Sequence, residues 1–221
     1  LEHHGFDEPP QQLIYLSEEG PHIMISPVMR YGEVEVSVLS KKQLYARDEK
    51  SNAFIVDRDE VMENNFTALL LQQHPEFAAQ IHQQAFYLTK KQFLEDGWFL
   101  DAFEAWEAQH IKILGFNEID KKRLNANKAT VSIKVTSGLD WFNTNLEVRY
   151  GKQKASLRQL LKSLKNGSKY VTLDDGTLGM LPAEWIKRMA AYFEAGELIE
   201  EELRIPKVNF SAVQLLYEKK M

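Results

Sequence analysis

The chain has 221 residues, an apolar share of 44%, an aromatic share of 11% and a net charge of -5, a composition that suits a globular protein able to bury a core. No apolar run approaches the ~20 residues of a spanning helix, and no secretory pattern opens the chain. The absence of Cys excludes disulfides, thiolate metal sites and thiol nucleophiles, and fits a cytoplasmic setting.

The charge is unevenly distributed. Residues 1–120 hold 9 Lys/Arg against 21 Asp/Glu, whereas residues 121–221 hold 18 against 11. Within the second half, residues 121–170 hold 12 basic and only 2 acidic residues. Such separation implies either a binding surface or two lobes that attract each other.

Leu1-Glu2-His3-His4, which lacks a Met, suggests a fragment or a cloning scar of a larger protein. Residues 1–12 are polar, carry Pro9-Pro10 and read as a loose lead-in. Leu13 to Leu16 and His22 to Ile25 read as short strands separated by Glu18-Glu19-Gly20-Pro21. Tyr31-Gly32 turns the chain into Glu33 to Leu39, where Val34, Val36 and Val38 alternate with Glu33, Glu35 and Ser37, the period of a half-buried strand. Ala53 to Val56 is a further short strand, followed by the charged run Asp57-Arg58-Asp59-Glu60.

From Val61 the period becomes helical. Phe66, Leu69, Leu70 and Gln73 fit one helix that stops before Pro75, and Phe77, Ile81, Ala85 and Leu88 predict a second helical run. After Gly97, the residues Trp98, Phe99, Ala102, Phe103 and Trp106 share a helix face, with Asp101, Glu104 and Glu107 opposite. Aromatics at this spacing read as core. Ile111 to Phe116 returns to strand.

The polar link Asp120 to Lys128 predicts a boundary between two lobes, 1–125 and 126–221. Beyond it Val131, Ile133 and Val135 alternate with Ser132 and Lys134 in a strand, Ser137-Gly138 turns, and Leu139 to Tyr150 predicts a second long strand. Ser156 sits where an N-cap belongs. Leu157, Leu160, Leu161 and Leu164 then form an apolar stripe, with Arg158, Lys162 and Lys165 on the solvent side and Asn166-Gly167 at the close. Lys169 to Leu173 and Thr177 to Leu181 flank Asp174-Asp175-Gly176 as a hairpin. Pro182 fits the first position of a helix that buries Trp185, Ile186, Met189, Tyr192 and Phe193 and ends at Gly196, and a last helix is predicted from Ser211. The fold class is α+β, with antiparallel sheets and helices packed on one side, in two lobes.

The order of these elements and their residues resembles the helicase-associated domain of bacterial Swi/Snf-type ATPases. The residues that carry the resemblance are Ser137-Gly138-Leu139-Asp140-Trp141-Phe142, Val148-Arg149-Tyr150-Gly151, the Ser156–Lys165 helix and Lys169-Tyr170-Val171-Thr172-Leu173-Asp174-Asp175-Gly176. Leu181-Pro182-Ala183-Glu184-Trp185 and Leu203-Arg204-Ile205-Pro206 complete it. It is good over about residues 130–210 and looser before, where Tyr31-Gly32 and Phe99 to Phe116 still fit. The resemblance implies a non-catalytic module N-terminal to the two helicase lobes of a DNA-dependent ATPase, partnered by those lobes in the same polypeptide. ATP and Mg²⁺ are then expected in the motor lobes and no cofactor in this piece. The sequence itself holds no G-x-x-x-x-G-K-[ST] loop and no Asp-Glu-x-His box.

The candidate site is the basic run Lys152, Lys154, Arg158, Lys162, Lys165 and Lys169, suited to DNA phosphates or to an acidic protein partner. An exposed face continuous with Lys121-Lys122-Arg123 would favour double-stranded DNA, whereas a face covered by Glu104 and Glu107 would make the asymmetry internal. Asp174-Asp175 reads as a turn rather than a cation site, and Asp57, Asp59 and Glu60 lack EF-hand spacing. His74, His82 and His110 have no zinc-site spacing, and Ser137 lacks the G-x-S-x-G elbow of a hydrolase. Trp141 and Trp185 suit packing on each other or on the Leu157–Leu164 stripe rather than base stacking.

Overall fold

The structure, a computed structural model, describes residues 1–116, 123–209 and 214. The chain divides into two compact units, Leu1–Lys121 and Lys122–Met221. Among the described residues no helix is long and apolar enough to cross a membrane.

The first unit is built on a hairpin, β2 (Gln11–Glu19) and β3 (His22–Tyr31), turned at Gly20 with φ +61°. β3 is long enough to serve two neighbours on its outer edge. β7 (Phe86–Thr89) pairs with His22–Ile25, and β4 (Val34–Ser37) pairs with Val28–Tyr31. Pro27 stands in the gap between them. Its carbonyl accepts from Val38 N at 3.0 Å on that edge, so its missing N–H falls where the ladder is already interrupted. β8 (Lys112–Leu114) closes the other side of the sheet, parallel to β2. Fold class holds as α+β with mostly antiparallel sheets, and β2–β8 is one of two parallel strand pairs among the described residues.

The other parallel pairing corrects the reading of residues 1–12 as a loose lead-in. β1 (His3–His4) runs parallel to β6 (Ala53–Val56), which also pairs with β5 (Tyr45–Arg47), a strand the sequence did not announce. Phe6 packs against Phe54 and across Gly32, which at φ +60° has room for no side chain beneath that ring.

Helix α1 (Glu60–Gln73) starts on an Asp59 side chain that accepts from Met62 N at 3.0 Å, and stops before Pro75 as predicted. The predicted second helical run does not form. A 3₁₀ helix spans Pro75–Gln80, and the chain then turns into β7. The Gln80 amide clips the Tyr87 backbone from both sides (2.6 and 3.0 Å), and Phe77 stacks on Phe86 at 4.5 Å. Phe86 and Leu88 are buried at strand spacing, while Ile81 is left exposed. After the short α2 (Lys90–Leu94), α3 (Trp98–Ala108) buries Phe99, Ala102, Phe103 and Trp106 as its period predicts.

In the second unit the central strand is β10 (Trp141–Tyr150). It pairs along nine residues with β9 (Ala129–Ser137) on one edge. On its other edge it pairs with β15 (Glu202–Pro206) at Trp141–Thr144 and with β11 (Gln153–Ala155) at Val148–Tyr150. β14 (Glu197–Ile199) extends the sheet beyond β15. Leu146, Val148 and Tyr150 point to one buried face, as their alternation predicts. The strand starts two residues later than predicted: Gly138 N donates to Trp141 O at 2.8 Å, so Leu139 lies in the turn and is 94% exposed.

α4 (Leu157–Lys165) and α5 (Ala183–Glu194) cover that face, with the hairpin β12 (Tyr170–Thr172) and β13 (Leu178–Met180) between them in sequence. Leu157, Leu160, Trp185, Met189 and Tyr192 join the β10 row in one core. Pro182 is the N-cap of α5 rather than its first helical residue. The helix predicted from Ser211 lies outside the described residues.

Candidate nucleic-acid interface

The basic run lies on β11, α4 and the mouth of the β12–β13 hairpin in the second unit, and its six cations are all exposed. Arg158, Lys162 and Lys165 share the outer side of α4, whereas Lys154, opposite Arg149 in the ladder, points to the sheet face away from that helix. Lys152 is in the two-residue turn Gly151-Lys152, since Tyr150 and Gln153 are paired across it. Lys154 follows on β11. Its backbone exchanges two hydrogen bonds with Asp174: Asp174 N donates to Lys154 O (3.0 Å) and Lys154 N donates to Asp174 Oδ1 (3.3 Å). The β12–β13 turn is thereby pinned to the strand that leads into α4.

Ser156 caps α4, accepting from Gln159 N at 3.2 Å. The helix then has to choose a face. At 3.6 residues per turn Leu157, Leu160, Leu161 and Leu164 share one side, and Arg158, Lys162 and Lys165 fall within roughly 60° of arc on the other. Leu157 and Leu160 are buried, and all three cations are exposed. Gly167, with φ +62°, ends the helix by donating to Leu164 O, while Ser168 N donates to Ser163 O at 2.9 Å. Lys169 is held at the mouth of the hairpin, where its carbonyl accepts from Leu181 N at 2.8 Å.

Two features set this surface apart. First, among the described residues none of Lys152, Lys154, Arg158, Lys162, Lys165 and Lys169 is in an ion pair. Arg30, Arg58, Lys90 and Arg149, by contrast, are each engaged by a carboxylate. Second, Arg158 and Lys162 stand at i,i+4, a like-charge spacing that opposes helix formation, and Arg158 lies in the first turn, where the helix dipole disfavours a cation. Lys162 and Lys165 are favoured by the dipole in the last turn, but Arg158 has no carboxylate partner among the described residues.

The three α4 cations form a strip rather than a pocket. The nine residues of α4 span ~13 Å, with Lys152 and Lys154 before one end and Lys169 after the other. A linear strip of donors suits a linear polyanion better than a small anion. Lys121 and Lys122 lie outside the described residues; Arg123 is exposed.

The remaining candidates have structural roles. Asp175 makes the hairpin turn, accepting from Thr177 N (3.0 Å) and Thr177 Oγ1 (2.6 Å), and those bonds hold its carboxyl below the ordinary range. Asp59 caps α1. Among the described residues no three His, Asp or Glu side chains gather as a metal site. Trp185 joins the core beside Leu157 and Leu160, but Trp141 stays 43% exposed at the far end of β10, paired with Pro206. Sequence reasoning did not single out Lys187, an exposed cation on α5, because no charge run marks it.

These features define an α+β module with a basic helix face that is unpaired among the described residues and a packed hairpin-and-helix core. The family described as bacterial SNF2 helicase associated matches residues 1–220, and the chain belongs to that family. The match extends beyond residues 130–210 to take in the first unit as well. No curated protein matches the chain.

Proposed function

We propose that the chain is a non-catalytic accessory domain that lays double-stranded DNA along the α4 strip and so positions it for a Swi/Snf-type motor in the same polypeptide. The observation that carries this reading is that Arg158, Lys162 and Lys165 share one exposed side of α4 with no carboxylate partner among the described residues. Contacts to phosphate are electrostatic and independent of base sequence, and no bond is made or broken by this domain. ATP and Mg²⁺ act in the motor lobes.

The test is fluorescence anisotropy of a labelled duplex titrated with the chain at several salt concentrations. Three phosphate contacts by Arg158, Lys162 and Lys165 give a log–log salt slope of about -2.7. Arg158→Glu/Lys162→Glu/Lys165→Glu removes that component. An absence of binding at low salt would sink the reading.

A second reading is favoured by the charge separation along the chain, with 21 acidic and 9 basic residues in residues 1–120. In it the strip binds an acidic protein surface, as a partner-docking or autoinhibitory contact. The duplex then does not bind, and the same triple variant changes motor activity instead.

A further inference from the structure

Edge strands are ordinarily protected by being short, by Pro, by bulges or by charge. Among the described residues the edges of this protein follow that rule with one exception. β4 and β7 have four residues, and β5, β8, β11 and β14 have three. β9 has nine, pairs with β10 without a bulge, contains no Pro and carries a single charge, Lys134. Among the described residues β10 is its only strand partner. Its inner row Val131, Ile133 and Val135 packs against the core yet stays partly exposed.

The sequence of this edge is close to a palindrome in chemical type. About Ile133, Val131 mirrors Val135, Thr130 mirrors Thr136, Ser132 mirrors Lys134 and Ala129 mirrors Ser137. An antiparallel pair of two such strands therefore places Ile against Ile, Val against Val and Thr against Thr, the self-complementarity that a two-fold interface requires. Lys134 meets Ser132, not another Lys. A shift of two residues one way sets Lys134 against itself, and a shift of two either way drops two of the nine pairs. A shift of one sends the apolar rows to opposite faces. One register fits the whole strand.

We infer that β9 is a self-association edge, which joins a second copy of this chain through an antiparallel β9–β9 ladder centred on Ile133. The joined sheet carries both apolar rows on one face, the face that α4 and α5 cover, so the two basic strips lie on the same side. A nine-residue ladder is small against the ~1,600 Å² of a stable interface, so the dimer is weak and depends on concentration. The two Lys134 side chains sit diagonally across it, and salt strengthens the dimer by screening them, the reverse of its effect on phosphate binding. The pairing does not depend on what the basic strip binds.

The chain has no Cys, which makes cross-linking clean. Ile133→Cys places two thiols directly opposite, at the separation of paired Cβ atoms, and is expected to give an oxidised dimer. Thr130→Cys alone places them ~20 Å apart and is expected to give none, while a mixture of Thr130→Cys and Thr136→Cys chains cross-links again. Sedimentation equilibrium of the unmodified chain should show the mass rising with concentration from 25.6 kDa toward twice that value. The exposed pair provides a control that leaves the core untouched. Thr130→Glu/Thr136→Lys tightens the dimer and Thr130→Glu/Thr136→Glu weakens it, each by severalfold in dissociation constant. A chain that stays monomeric at every concentration, or a thiol at 133 that cross-links no faster than one at 130, overturns the inference. Loss of duplex binding in the α4 variant has no bearing on either result.

Discussion

The Tyr31 hydroxyl donates to Glu63 Oε2 at 2.6 Å and accepts from Asp59 N at 2.8 Å, joining the end of β3 to the first turn of α1. Arg58 completes the cluster. Its guanidinium donates to both Glu63 oxygens and, through Nη1, to Lys42 O at 2.8 Å. Glu63 is 5% exposed, so its charge is kept in the interior by these partners. The charged run Asp57-Arg58-Asp59-Glu60 thus divides its labour: Asp59 caps the helix and Arg58 neutralises it from within.

Removing one member of this cluster has unequal consequences. Glu63→Ala leaves the Arg58 guanidinium largely buried without its counter-charge and should cost about 3–5 kcal/mol. Tyr31→Phe removes the hydrogen bond to a carboxylate that keeps Arg58 and the acceptor of Asp59 N, and should cost about 1–3 kcal/mol. Urea unfolding of both variants followed by circular dichroism measures the difference. Equal losses would show that Arg58 finds another partner.

Gly179 is fixed by Tyr150. A Cβ at residue 179 would stand 2.6 Å from Tyr150 Cζ, so the ring lies flat on the β13 backbone while its hydroxyl donates to Met180 O at 2.8 Å. Gly179→Ala should cost about 1–3 kcal/mol by overpacking a site where the obstacle is a buried ring. Tyr150→Phe keeps the ring, loses the hydrogen bond and should cost about 1 kcal/mol. Thermal unfolding of the two variants and the double variant separates the terms, because Tyr150→Phe leaves the Gly179→Ala clash in place.

Legibility followed agreement between local signals. In α4 the cap, the leucine stripe, the opposed cations and the closing glycine all pointed one way, and the helix formed where they placed it. Over Phe77 to Leu88 the apolar spacing imitates a helix, but β3 offers a strand edge at His22–Ile25 and Gln80 clips Tyr87. Neither can be read from local spacing. β1 was missed for the same reason, since its partner β6 lies about 50 residues away. For the site, charge runs announced which cations to watch and helical period announced which of them face solvent. That they lack carboxylate partners among the described residues required the fold. The alternation of β9 marked a strand but could not say that one of its edges has no strand partner among the described residues.

Alkaline conditions should unfold the protein through its buried phenols. Burial pushes the Tyr192 hydroxyl from its ordinary 10 up to about 12, with the Thr144 hydrogen bond opposing the rise and Glu202 adding to it. Burial also raises Tyr150, and burial with the Glu63 hydrogen bond raises Tyr31. A folded-state value above the unfolded one means the folded chain holds its proton longer. The contribution is therefore fully present below pH 10 and is lost as pH climbs from 10 through about 12, with Tyr192 alone accounting for on the order of 2–3 kcal/mol. Absorbance at 295 nm followed beside circular dichroism checks this. A subset of the 8 tyrosines should ionise only as the secondary structure is lost.

The basic strip leads to a prediction in which stability and binding move in opposite directions. Arg158 sits in the first turn of α4, four residues before Lys162 and exposed to solvent. Arg158→Glu exchanges an unfavourable cation for a carboxylate at the positive end of the helix dipole, and converts an i,i+4 repulsion into a Glu–Lys pair in its better orientation. Together these changes should raise stability by about 0.5–1 kcal/mol. The same change removes one phosphate contact and repels another, so duplex affinity should fall and the log–log salt slope should become shallower by about 1. Thermal unfolding and anisotropy on one preparation test both halves. A variant that is more stable and binds DNA less well identifies Arg158 as a residue kept for its ligand at a cost to its helix. A variant that is more stable and binds DNA as before would remove Arg158 from the interface and leave the strip to Lys162, Lys165 and their neighbours.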